Sequence, residues 1–154
     1  MKVFISYGAT ADQVTALRLQ ALGAVNGLTV YVPPAYTRQG IATPLEPEAA
    51  QELNDAEAVL GVIGTGLTAA CRLELHASIA LGKHMIVMSY PAFVPLLQPS
   101  FGPDLVVVDP ANPDRVEGWM VQHLKTIDAH QVAKTALLAL GTLALGLLIL
   151  APSD

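Results

Sequence analysis

A-V-L-G-V-I at 58–63, G-T-G at 64–66, T-A-A-C-R-L-E-L-H-A-S-I-A-L-G-K at 68–83 and H-M-I-V-M at 84–88 read as strand, turn, helix and strand in immediate succession. The first strand is apolar at every position, as parallel strands covered on both faces tend to be. Thr68 stands where a helix is capped and Gly82 where one ends. Two strands joined by a helix make a β–α–β unit, and repetition of that unit builds an open parallel sheet.

The unit repeats on both sides. Val3–Tyr7 is a short β-rich run, predicted as a central strand. A helix over 9–25 follows, with Val14, Leu17, Ala21 and Val25 at helical spacing, Asp12, Gln13 and Arg18 on other faces, and Thr10 with Gln13 as a capping box. Gly27 turns the chain into a second strand, L-T-V-Y-V at 28–32. Residues 33–44, P-P-A-Y-T-R-Q-G-I-A-T-P, form a loop, and 46–54 a short polar helix. The proline-rich 91–103 segment is expected to be irregular, 105–108 to be a fifth strand, and Pro113 to open the last helix of the domain. Strands and helices thus alternate into a doubly wound five-stranded parallel sheet. Functional groups in such sheets gather at the carboxyl ends of the strands, here 7–10, 33–44, 64–68 and 89–93.

The 154 residues suffice for one domain with a real core, and 53% of them are hydrophobic against 14% charged. The net charge of −5 and the absence of a basic cluster argue against a nucleic-acid partner. A single cysteine, Cys71, excludes an internal disulfide and fits a reducing compartment. His76, His84, His123 and His130 show no metal-ligand spacing. The start, M-K-V-F-I-S-Y, reads as a strand and not as a signal peptide. From Thr135 to Ala151 no residue is charged, a run of about 25 Å as helix. This predicts a domain over 1–131 and a transmembrane helix over 132–151, single-pass in the cell inner membrane with the domain in the cytoplasm. Thr135, Ala139, Thr142 and Gly146 lie on one stripe that would favour self-association within the membrane.

V-F-I-S-Y at 3–7, the proline-bearing loop after the second strand, the apolar third strand and the 68–83 helix with its closing Gly82-Lys83 together resemble a bacterial TIR (Toll/interleukin-1 receptor) domain over about residues 1–125. The resemblance implies a flavodoxin-like sheet and, in the members that cleave NAD, an essential glutamate on the third helix, eight residues before a Gly-Lys pair. Glu74 occupies that position. It is the helix's only acid, with no basic residue three or four positions away. One carboxylate fits the chemistry: nicotinamide leaves as a neutral molecule, and the positive charge that builds on the ribose needs a negative partner.

By the same resemblance Ser6, Tyr7, Gly8, Tyr36, Arg38, Thr65 and Cys71 are the candidate nucleotide-binding residues. Tyr7 either meets the nucleotide or packs on the next helix. Arg38 contacts a pyrophosphate, contacts a neighbouring subunit, or is solvated. Cys71 packs inward. Ala70 stands where many relatives carry tryptophan. The expected function is a membrane-tethered NAD+ hydrolase or ADP-ribosyl cyclase, with NAD+ as substrate and no cofactor. It would be activated by self-assembly through the 33–44 loop and the membrane helix, in prokaryotic defence or stress signalling. The rivals are a non-catalytic TIR scaffold and an enzyme like the nucleoside deoxyribosyltransferases, which use a helix glutamate as nucleophile.

Overall fold

A computed structural model of the chain describes residues 1–35, 45–109, 111–112 and 114–130. It contains one parallel sheet in the order β2-β1-β3-β4-β5, with β1 Lys2–Tyr7, β2 Thr29–Tyr31, β3 Ala58–Ile63, β4 His84–Ser89 and β5 Leu105–Val107. The helices are α1 Gln13–Val25, α2 Pro47–Asp55, α3 Ala69–Ala80, α4 Val94–Phe101 and α5 at residues 114–130. In register, Phe4 lies beside Tyr31 on one side and Val59 on the other.

Strand alternation sorts the core into two layers. Val3, Ile5 and Tyr7 of β1 face one side and pack with Ala16 and Leu19 of α1 and with Met120, Val121 and Leu124 of α5. Phe4 faces the other side, with Ala49 and Leu53 of α2, Leu75 of α3, and Leu97 and Phe101 of α4. Both faces of the sheet are therefore covered, which is why β3 is buried at all six positions.

The helix ends explain several letters of the sequence. The Thr68 hydroxyl accepts from the Cys71 amide and opens α3. Gly82 closes it at φ +63°, a left-handed conformation that glycine adopts without steric cost. The next residue, Lys83, donates from Nζ to the carbonyls of Asn54 at 2.6 Å and Ala56 at 2.7 Å, placing a cation on the unpaired carbonyls at the end of α2.

Three sequence expectations change. The exposed face of α1, not its buried one, carries Val14 (65% exposed) and Val25 (81%), while Ala16, Leu19 and Gly23 point inward. Small residues let the helix lie close: a side chain at Gly23 would meet Val30 Cγ2 at 2.6 Å. Thr10 does not cap α1; residues Thr10–Asp12 form a 3₁₀ turn ahead of it. The segment 91–103 is ordered as a 3₁₀ turn, then α4, then a second 3₁₀ turn; Pro91, Pro95 and Pro103 fall in first turns, where the missing N–H is harmless, while Pro99 stands inside α4.

The membrane assignment is also corrected. Among the described residues no helix is long and apolar enough to cross a membrane. The segment 132–151, on which the inner-membrane placement and the small-residue stripe rested, lies outside the described residues.

A buried carboxylate joins α5 to α1. Glu117 is 1% exposed; its Oε2 lies 3.1 Å from Arg18 Nη2, while Oε1 has no hydrogen-bond partner among the described residues. Arg18 also pairs with Asp114. Burial pushes the Glu117 carboxyl above its ordinary pKa against the opposing pull of Arg18, and Asp114 adds to the rise. The folded protein thus holds this proton more tightly than the unfolded chain. The associated stability is full below the ordinary carboxylate pKa and is lost as pH rises through the elevated folded value. Denaturation at a series of pH values should show wild type losing stability relative to Glu117→Gln across that window. A constant difference between the two would contradict this.

Candidate active site

The chain leaves β1 for β2 on one side, yet its other neighbour is β3, so the strand order reverses at β1. Open parallel sheets place their sites at such a reversal, at the carboxyl ends of the strands; here the loops after β1 and β3 touch, with Thr68 N donating to Gly8 O. Three expected residues meet at this point. Ser6, on the α3 face of β1, has its Oγ 2.6 Å from Glu74 Oε2 and 3.2 Å from Cys71 Sγ. The short contact is the Ser6 hydroxyl donating to a Glu74 carboxyl oxygen. Glu74 is only 2% exposed, and Ser6 and Cys71 are fully buried. Cys71, Glu74 and Tyr7 carry further interactions beyond these.

α3 brings Glu74 here through its phase. Cys71, Glu74, Leu75 and Ser78 form its buried stripe, at spacings of three and four, and the Ser78 hydroxyl donates to the Glu74 carbonyl at 2.6 Å. His76 lies on the exposed side, its ring tilted 45° against that of Phe101 at 5.8 Å.

The other expected residues separate. Tyr7 points to the α1 face, fully buried, and its hydroxyl donates to the Pro33 carbonyl at 2.8 Å. Gly8 is a point of backbone approach: its N–H donates to Val62 O at 2.8 Å, its carbonyl accepts from Thr68 N at 3.3 Å, and a Cβ there would sit 1.8 Å from Gly66 O. Thr65 is exposed and bonded to Asp12. Tyr36 and Arg38 lie outside the described residues, as does most of the 33–44 loop.

Asp12 and Tyr31 were not anticipated. Asp12 (4% exposed) accepts from Ala9 N at 3.1 Å, from Thr65 N at 2.9 Å and from Thr65 Oγ1 at 3.0 Å. It ties the loop after β1 to the loop after β3. Its partner lies 53 residues away, a contact that local periodicity does not encode. Asp12→Ala strands these donors and should cost about 2–3 kcal/mol, read as a lower denaturation midpoint; an unchanged midpoint would show the loops held by other means.

Tyr31 ends β2 on the Glu74 side of the sheet, its ring 5.6 Å from that of Phe4. Its pKa is pushed up to about 12, by burial first and then by the carboxylates of Glu48, Glu46, Glu52 and Glu74. The local field is therefore acidic, although Lys2 pairs with Glu52 at 2.9 Å and Glu46 caps α2 by accepting from Ala49 N.

Two hollows lie nearby. One, beside Asp12, Gly64, Ser89 and Tyr90, opens on the α1 side; the other, beside Arg72, His76, Leu96 and Ser100, lies between α3 and α4. Glu74 lines neither. No group of three or more His, Cys, Asp or Glu among the described residues is placed to hold a metal ion.

No family model matches the sequence, and no curated protein matches it. The fold is similar to the crystal structure of Smu.1420 from Streptococcus mutans UA159, with a TM-score of 0.51 and 12% identity, over 79% of this chain and 97% of that one. At such identity the likeness concerns the fold alone. The TIR assignment is therefore corrected: neither the family comparison nor the structural neighbour supports it. Its motif letters have local causes in this sheet. Gly8 permits the approach of Gly66, Gly82 and Lys83 finish helices, and Ser6 and Cys71 fill the layer beneath α3.

Proposed function

We propose that this protein cleaves an N-glycosidic bond, with NAD+ as substrate and Glu74 as the carboxylate facing the sugar cation that forms. The observation that carries this reading is the Ser6–Glu74 pair, a 2.6 Å bond between buried groups where the strand order reverses. A carboxylate fixed in a low-dielectric site needs little reorganisation as positive charge develops at C1′ of the ribose, and it stabilises that charge more strongly than it would in water. The pyridinium leaving group takes the bonding electron pair and departs as neutral nicotinamide, so a general acid is unnecessary. The acidic surroundings of Tyr31 also favour a cationic ring. Because Glu74 is 2% exposed, the substrate must displace the groups over it on entry, and bulk solvent is then kept from the carboxylate. Water reaching C1′ gives hydrolysis; an adenine nitrogen reaching it first gives the cyclic product.

The same carboxylate would serve as nucleophile in deoxyribosyl transfer, where a covalent ester to the sugar forms and a second base displaces it. Incubating the full chain, over a range of protein concentrations, with NAD+ and separately with a deoxynucleoside plus a free base separates the readings. Nicotinamide release that Glu74→Gln abolishes supports NAD+ cleavage. Base exchange supports transfer. Absence of turnover of either substrate at every concentration contradicts both.

A further inference from the structure

The Tyr31 hydroxyl is buried and has no hydrogen-bond partner among the described residues. A phenol in that position is costly unless something accepts its proton. The groups around it are carboxylates, yet none of them lies within bonding distance. Glu46 is held by the Ala49 amide and Glu52 by Lys2, which keeps them where they are. Tyr31 itself is fixed at the ring, against Phe4, so its hydroxyl cannot swing far. In register it sits beside Phe4, two residues before Ser6 on the same face of the sheet, which places it one step below the Ser6–Glu74 pair.

A fixed donor near a fixed carboxylate acceptor matches a group that both accepts and donates. A sugar hydroxyl does both through one atom; a base edge splits the two roles between separate ring positions, and a phosphate oxygen only accepts. We propose that Tyr31 is a substrate-contacting residue that donates its hydroxyl hydrogen to a ribose hydroxyl of the nucleotide whose N-glycosidic bond breaks opposite Glu74. This rests on the N-glycosidic reading above. The contact exists in the bound substrate and the transition state alike, so it acts on binding more than on the chemical step.

The test is Tyr31→Phe in the full chain, measured beside wild type and Glu74→Gln. Removing a buried hydroxyl that has no partner in the free protein is neutral or stabilising, so the melting temperature should stay level or rise slightly. KM for NAD+ should rise about five- to tenfold, with kcat changed less than about twofold. If Glu74→Gln abolishes turnover while Tyr31→Phe matches wild type, the inference is overturned and the N-glycosidic reading stands. A lowered melting temperature with KM unchanged marks a structural tyrosine and also overturns it. If wild type turns over neither NAD+ nor a deoxynucleoside, that reading fails, and thermal shift with ADP-ribose decides the inference alone. A shift present in wild type and lost in Tyr31→Phe upholds it; no shift, or equal shifts, overturns it.

Discussion

Glu74→Gln should reduce nicotinamide release from NAD+ by at least about 10²- to 10³-fold, the usual cost of removing one well-placed electrostatic partner of a transition state. Glutamine keeps the size of the side chain and leaves an oxygen for the Ser6 hydroxyl, so the substitution removes charge with little change of shape. Ser6 offers the matching control. Its hydroxyl holds Glu74 Oε2 at 2.6 Å but does not supply the charge, so Ser6→Ala should lower kcat by only about tenfold, as the carboxylate loses its fixed orientation. Equal losses in the two variants would mean that the pair is structural and that its disruption alone stops the protein. Measured kcat and KM for both, with circular dichroism to confirm the fold, distinguish the cases.

Gly8→Ala should be the most destabilising single methyl in the chain's described loops. The added carbon would lie 1.8 Å from the Gly66 carbonyl oxygen and 2.9 Å from its carbon, and both neighbours are backbone. Neither strand end is free to retreat, since Gly8 is bonded on both sides to Val62 and Thr68. Overpacking of this severity costs about 3 kcal/mol or more, or roughly 10 °C in melting temperature for a domain of this size. The same displacement would separate the loops that Asp12 joins, so activity should fall with stability. A variant that melts within about 2 °C of wild type would show that these loops are not in the contact described.

Much of this architecture was legible in the order of the residues. The strands were readable because parallel strands buried on both sides must be apolar throughout, and A-V-L-G-V-I or M-I-V-M admits no other comfortable place. Thr68 and Gly82 bounded α3 by the chemistry of helix ends, and that boundary fixed the phase that turns Glu74 inward. The inner stripe of α1 was not readable, because close packing against β2 selects Ala16 and Gly23, which carry little hydrophobic signal. The prolines of 91–103 suggested an irregular chain, but their meaning depends on position within a turn. Asp12 was missed because its partner is distant in sequence, and Tyr31 because a strand-end tyrosine looks the same whether or not its hydroxyl finds an acceptor. The family resemblance failed for a related reason: a doubly wound sheet demands glycines, small polar residues and helix-ending lysines at these spacings whatever its chemistry.

The most direct test is a crystal structure of the Glu74→Gln protein soaked with NAD+, which that substitution should leave uncleaved. C1′ of the nicotinamide riboside should lie within about 4 Å of the substituted side chain at position 74, the range of a near-attack geometry. NAD+ seated instead in the hollow beside Asp12 and Tyr90, or anywhere that leaves this carbon remote from α3, would contradict it.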